Sequence, residues 1–461
     1  MEIHLRPGPH PHVGSNAVGR YFLLSSLCLL ALSAAGCASH SSHTEDARAA
    51  LDQGNPQKAL GHLNEQLGVD PETADLPDKV EPNHQLFVLD RSLVLQWLDD
   101  LPNSSRDLET ADKGIEILDF SRSTTDDISK FMFSDDSGPY QAPPYEKLMI
   151  NTMNMMNYLV QHNLNGARIE ARRFEVMQKF IADHEDQGKA LSGPGSYLAG
   201  FIFEKSGRSD EALLYYDEAL NFADYRSLHE PIRRLAGKSS NRANIKAVLE
   251  AGGPAPKDDG SAELLVIVNY GRVPAKIARR VPIGVALTLA AGDISPTDQA
   301  KANELAGQGL VTWVNFPTLD KPRGNWGTPQ FWLDGRPEHL EAILNVDTAA
   351  VQEWESVQGI VVGSAITRMI TRIVAGQVAK KASGGGALGT LLSLGTQATM
   401  TATDTPDTRS WSTLPARIAF GRVRVPAGEH RIRLQARGRM KEQTISLEKN
   451  SWGVVLLTVL R

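Results

Sequence analysis

Gly200-Phe-Ile-Phe203-Glu-Lys-Ser-Gly207-Arg-Ser-Asp-Glu-Ala212-Leu-Leu-Tyr215-Tyr216-Asp-Glu-Ala219-Leu220 reads as two short helices joined by a tight turn. Apolar residues recur at helical spacing on both sides of Gly207, which supports the turn. Gly200 and Ala212 are small where two such helices would cross. Phe203 is large enough to fill the gap between them. Ala219 is small where a following helix would pack.

Three weaker copies precede this pair. Ala47, Ala50, Gly54, Ala59 and Leu63 form one, and Leu95, Leu101, Ser104, Leu108 and Ala111 a degenerate second. Tyr158, Leu164, Ala167 and Ala171, after Tyr145, form the third. The copies resemble the tetratricopeptide repeat, most closely at Gly200–Leu220. That resemblance implies an α-solenoid over residues 44–250, interrupted by insertions such as Asp135–Pro144. One repeat cannot bury its apolar face alone, so the copies are expected to stack and leave a concave groove for a protein partner.

The helix around Met149–Tyr158 carries Asn151, Asn154 and Asn157 at every third position. These amides suit either of two roles, binding the backbone of a partner peptide or bonding between packed helices, because a buried amide needs partners in both cases. They are candidate partner-binding residues. Met149, Met153, Met155 and Met156 read as core filling. Arg168, Glu170, Arg172 and Arg173 read as a solvated helix face.

Gly252–Gly260, rich in Gly and Pro, marks a linker at 251–260. Beyond it the period changes. Glu263–Asn269 is an apolar run that reads as a buried strand. Further strands are predicted at Lys276–Val281, Val311–Phe316, Ala342–Val346, Arg417–Val425, His430–Ala436, Thr444–Leu447 and Trp452–Leu460. The pattern predicts an antiparallel β-sandwich over 261–461. Inside it, residues 349–402 read as a glycine-rich helical hairpin. Gly359/Gly363 and Gly385/Gly389 have small-xxx-small spacing. Arg368 and Arg372 interrupt its first arm, which favours burial against protein over membrane insertion.

The first residues carry a different kind of signal. Arg20 precedes the apolar run Tyr21–Leu32, and Ser33-Ala-Ala-Gly-Cys37 follows. A charged start, a short apolar core and small residues before a cut form an export signal. Ala34-Ala35-Gly36-Cys37 resembles a bacterial lipobox. The resemblance implies a signal peptide at 1–36, diacylglycerol on Cys37 as the first mature residue, and a tether at 37–43. Ala38 and Ser39, in place of aspartate, imply sorting to the periplasmic face of the outer membrane. His4, His10 and His12 lie upstream of the cut and leave with the signal, so they offer the mature chain no metal site.

The rest of the composition bounds the function. The chain has 461 residues and a net charge of −6, so it can bury a core without disulfides and shows no broad case for nucleic acid. Cys28 and Cys37 are the only cysteines, and Cys28 lies inside the signal. No phosphate loop, zinc signature or nucleophile elbow occurs, so no catalytic residue, cofactor or metal is predicted.

Four motifs carry a chain-wide resemblance: Pro144-Tyr-Glu146, Leu164-Asn-Gly-Ala-Arg-Ile-Glu-Ala-Arg-Arg173, Ala278-Arg-Arg-Val-Pro-Ile283 and Asp407-Thr-Arg-Ser-Trp-Ser-Thr-Leu-Pro415. With them the chain resembles a family of bacterial lipoproteins that has a repeat half, a sheet half and no assigned activity. In the last motif, Arg409 and Trp411 are candidate binding residues whose other role is structural: Arg409 bonding backbone, Trp411 covering a sheet edge. The expected fold is α+β. The expected function is a membrane-anchored periplasmic scaffold that holds an envelope protein in its groove during cell-envelope assembly. The alternative is a membrane-active assembly or export component that uses the glycine-rich insert.

Overall fold

A computed structural model describes residues 40–120, 140, 142, 144–184, 191–237, 240–253, 259–290, 292–307, 313–321, 327–382 and 406–461. The chain is mixed α+β, with helices up to Glu250 and a strand-rich region from Ala262. The expected signal, Cys37 and the second arm of the expected hairpin lie outside the described residues.

The helices come in pairs: α1 (Glu45–Asp52) with α2 (Pro56–Leu67), α3 (Gln85–Trp97) with α4 (Leu101–Phe120), α5 (Pro144–Val160) with α6 (Leu164–His184), and α7 (Ser192–Lys205) with α8 (Ser209–Leu220). α9 (His229–Ala236) and α10 (Ala243–Glu250) follow. Local chemistry sets their ends. The Asn55 side chain accepts from the Lys58 amide at 3.0 Å, Pro56 opens α2, and Gly68 closes it in a left-handed conformation. Between α7 and α8, Gly207 takes φ +73°. A Cβ on Gly200 would strike the Tyr216 ring, so glycine sets the close crossing of the two helices. Phe203 stacks on Tyr215 with centroids 5.2 Å apart.

Every residue of α3 is buried, which an amphipathic surface helix never shows. The cause is a second neighbour. The strands β1 (Ala262–Tyr270), β6 (Glu341–Asn345), β7 (Arg417–Val425) and β10 (Trp452–Val459) form a sheet in the order β10-β1-β7-β6. β10 meets α3 and α5, and β6 meets α7. Met153, Met156, Tyr197 and Phe201 share one continuous core with Leu265, Ile267, Phe420 and Leu457. The inner faces of the helical half therefore rest on the chain's own sheet.

That sheet is mixed, which corrects the antiparallel expectation. β1 pairs antiparallel with β7 but parallel with β10, Glu263 opposite Trp452. β1 opens the region and β10 ends it, so a long crossover separates them, as parallel neighbours require. A second, antiparallel sheet in the order β5-β4-β8-β9 contains β4 (Gln330–Leu333), β5 (Arg336–Glu338), β8 (Gly428–Ala436) and β9 (Arg439–Leu447). It covers the other face of the first sheet: Gly421 of β7 lies against Phe331 and Leu340, and Gly453 of β10 against Leu447 and Ile445. With a layer on each side, all nine residues of β1 are buried.

A smaller lobe has its own core of Val281, Ala286, Phe316, Val362 and Ile366. It contains the antiparallel pair β2 (Lys276–Pro282) and β3 (Trp313–Leu319), the helices α11 (Ile283–Ala290) and α12 (Pro296–Gly307) that lie between them in the chain, and the long α13 (Val346–Ala382). A Cβ on Gly359 or Gly363 would overlap Asp293, so this small-xxx-small pair lets α13 approach the turn between α11 and α12. Among the described residues, no helix is long and apolar enough to cross a membrane.

Candidate functional site

The asparagines of α5 point into the interior. Asn157 accepts from Gln96 Nε2 and donates to Ser104 Oγ, both at 2.8 Å. Gln96 Oε1 in turn accepts from Asn269 Nδ2 at 3.1 Å and from Thr458 Oγ1 at 2.7 Å. This chain of bonds joins α3, α4 and α5 to β1 and β10. Asn151 donates to Glu170 Oε2 of α6 at 2.9 Å. Asn154 is buried, and neither polar atom of its side chain has a hydrogen-bond partner within bonding distance among the described residues. The structure thus brings Asn157 into the seam between the halves and turns Asn151 toward the neighbouring helix.

Glu170 lies apart from the solvated face that its sequence context suggested. It is 2% exposed. Burial raises its carboxyl to about 7, and nearby Asp112 and Glu109 add to the rise, against the Asn151 bond and Arg173. A carboxyl with a raised folded pKa binds its proton more tightly in the folded chain. Folding then takes up protons between the ordinary 4.5 and about 7, and stability falls as pH rises through that window. Glu170→Gln should remove this slope. The melting temperature of the variant is expected to exceed that of the wild type at pH 8 and to approach it at pH 5, with a gain of at most about 3 kcal/mol from the shift. Equal pH profiles for the two chains would contradict this.

Arg409 and Trp411 lie in Asp407–Pro415, an extended segment laid across α3 and α5. Arg409 grips Asp407 through Nε–Oδ1 at 2.9 Å and Nη2–Oδ2 at 2.7 Å. Its guanidinium lies 5.7 Å from the Tyr140 ring centroid. Trp411 is 1% exposed. Its backbone amide donates to Glu146 Oε1 and its indole N–H to the Leu89 carbonyl, both at 3.1 Å. Asp90 Oδ1 accepts from the Thr413 amide at 2.9 Å and from Ser412 Oγ at 3.1 Å. The helices hold this segment as they would a peptide, with carboxylates capturing amides. Burial pushes Glu146 up, against its bonds from Tyr140 and Trp411.

Ser412, Asp90 and His40 are three residue types that catalyse together elsewhere. Here His40 Nε2 lies 3.5 Å from Asp90 Oδ2, while Ser412 bonds the carboxylate rather than the imidazole. The hydroxyl faces Asp90 and not His40, so these three side chains are not arranged as a Ser–His–Asp relay. No group of three or more His, Cys, Asp or Glu among the described residues can hold a metal.

The sequence reading missed a buried charged junction. Arg422 of β7 bonds Glu204 of α7 through Nη2 at 2.7 Å, Tyr216 of α8 through Nη1 at 2.9 Å, and Glu263 of β1 through Nε. Lys205 reaches Glu204 at 2.8 Å and also bonds Glu263, and Arg234 of α9 reaches Glu204 at 2.6 Å. Burial pushes the Glu204 carboxyl up, but Arg422 and Lys205 outweigh it and hold it well below the usual range. Glu263 within an apolar run was the available signal, because a strand carries a buried carboxylate only beside a cation.

Clefts open on the surface among the described residues. One of about 30 Å³ adjoins Glu146, Lys276 and Trp411. One of about 240 Å³ lies between Asp52, Arg272 and Asp320. One of about 360 Å³ lies beside Trp332, Arg431 and Arg433. No family model, no curated protein and no solved structure matches the chain.

Proposed function

We propose that the chain is a lipid-anchored periplasmic scaffold that holds an envelope protein against the outer side of its helical half. In this reading the helices form a tetratricopeptide-like solenoid, the two sheets form a sandwich whose inner sheet is mixed, and Cys37 carries the lipid. One observation supports the partner surface most directly. Ile169, Val176 and Phe180 of α6 are 55%, 66% and 40% exposed. Their spacing places them on one side of the helix. Single exposed apolar residues are ordinary, but a stripe of them marks a docking face. The inner side of the array is occupied by β1 and β10, so the partner takes the outer side.

Copurification from native membranes tests this. Replacing Ile169, Val176 and Phe180 by Ser should abolish recovery of a stoichiometric partner and leave the melting temperature unchanged. Asn151→Ala should instead lower the melting temperature, because it leaves Glu170 without a buried donor. A partner that survives the α6 replacements would overturn the assigned surface.

A further inference from the structure

We infer that the outer edge of β2 takes an added strand, an extended acidic segment of a protein partner. Among the described residues, β2 and β3 form a sheet of two strands. Lys276 lies opposite Leu319, and the next amide, that of Asp320, donates to the Ala275 carbonyl at 2.8 Å. This bond fixes the phase of the ladder, because antiparallel residues turn toward their partner strand alternately. Ile277, Arg279 and Val281 point their backbone groups at β3. Lys276, Ala278 and Arg280 point theirs outward. Both prolines fit this phase. Pro317 lies opposite Ala278, and Pro282 lies opposite Trp313, at positions where the ladder needs no N–H. Ala278, Arg279 and Arg280 are exposed.

The same edge is already used in part. The Lys276 amide, the first of its outward donors, donates to Ser410 Oγ at 3.2 Å, in the extended Asp407–Pro415 segment. Further along, the N–H and C=O of Ala278 and Arg280 have no bonding partner among the described residues. They form a row of alternating backbone donors and acceptors. Another extended backbone meets such a row group for group, which neither a lipid headgroup nor a nucleic acid does.

Charge selects the partner. The two strands carry Lys276, Arg279 and Arg280 and no Asp or Glu. No Asp or Glu occurs between Glu263 and Asp293. Successive residues of a strand point to opposite faces. Arg279 shares one face with Val281. Arg280 shares the other with Trp313, whose ring centroid lies 5.2 Å from its guanidinium. A strand added at this edge lies beside one cation on each face of the sheet, so two neighbouring acidic residues in it each meet an arginine. A second copy of β2 fits poorly, because antiparallel pairing through Ala278 or Arg280 sets cation against cation. The inference rests on neither the lipid anchor nor the α6 surface.

The test uses a chain that begins at residue 38, which keeps every described element. The probe is a fluorescein-labelled peptide of valine and threonine with two adjacent glutamates at its centre. In the free chain, hydrogen exchange should be slow at the amides of Ile277, Arg279 and Val281 and fast at those of Ala278 and Arg280. The probe should bind and slow exchange at Ala278 and Arg280. Arg279→Ala with Arg280→Ala should weaken binding about tenfold, the factor for two cross-strand charge pairs. Lysines in place of the probe's glutamates should weaken it likewise, and an N-methylated probe should not bind. Ala278→Pro removes an outward donor and no β2–β3 bond, so it should abolish binding at an unchanged melting temperature. Absence of binding overturns the proposal, as does binding that survives Ala278→Pro or protects amides elsewhere. Protection of Ala278 and Arg280 that grows with chain concentration and needs no peptide assigns the edge to a second copy, and overturns it as well.

Discussion

Replacing Arg422 with alanine should destabilise the fold by about 3–5 kcal/mol, the range for removing one partner of a buried ion pair. The Arg422 side chain is 2% exposed and serves Glu204, Glu263 and Tyr216 at once. Its guanidinium also lies 5.0 Å from the centroid of the Phe201 ring. Without it, the two carboxylates keep the Tyr216 hydroxyl on Glu204 and the cations Lys205 and Arg234, which approach from the rim of the junction. The cost then comes mainly from carboxylates left under-compensated, not from the lost attraction. A second variant separates the two. Arg422→Met combined with Glu204→Gln and Glu263→Gln should recover more than half of the lost stability, because no buried charge is stranded. Urea unfolding checks both variants. A loss under about 1 kcal/mol in Arg422→Ala would show that the junction behaves as an exposed pair does.

A larger effect is expected when the halves are separated. Residues 40–253 alone should not fold cooperatively. The sheet covers Met153, Met156, Tyr197 and Phe201 of the helical half. Tyr197 lies 4.8 Å from Phe420 between ring centroids, and Phe201 lies 5.9 Å from Trp452. Burying one large apolar side chain is worth about 1.5–3 kcal/mol. Four of them together rival the whole stability of a domain, about 5–15 kcal/mol. Separation also strips Gln96 of its strand partners Asn269 and Thr458, and Glu204 of Arg422. The continuous core across the helical half and the sheets is the reason to expect one folding unit.

The sequence made the α7–α8 pair readable in detail, because Gly200, Phe203, Gly207 and Ala212 each act on a neighbour a few residues away. The strands near the end of the chain were readable for the same reason: alternation such as His430–Ala436 is local. What covers an apolar face is not local. The period of α5 shows that Met153 and Met156 share an interior, but not that Asn269 of a distant strand lies there. The Arg-Val-Arg pattern at Arg422–Arg424 looks like a solvated strand face, yet Arg422 is buried because α7 supplies a carboxylate opposite it. Parallel pairing of β1 and β10 has no local signature, since strand direction depends on the crossover between them. α11 was missed because a helix of only apolar and small residues shows no period. Asn269 was a visible clue, as a polar residue within a buried apolar strand requires a polar partner from elsewhere.

The central claim is that the sheet fills the inner side of the helical array, so that the two halves form one folding unit. Scanning calorimetry of residues 40–253, beside the chain from residue 38, tests it most directly. The account predicts a cooperative transition in the longer chain and none in the fragment, which should expose apolar surface and bind a hydrophobic dye. A fragment that melts cooperatively near the temperature of the whole chain would contradict it.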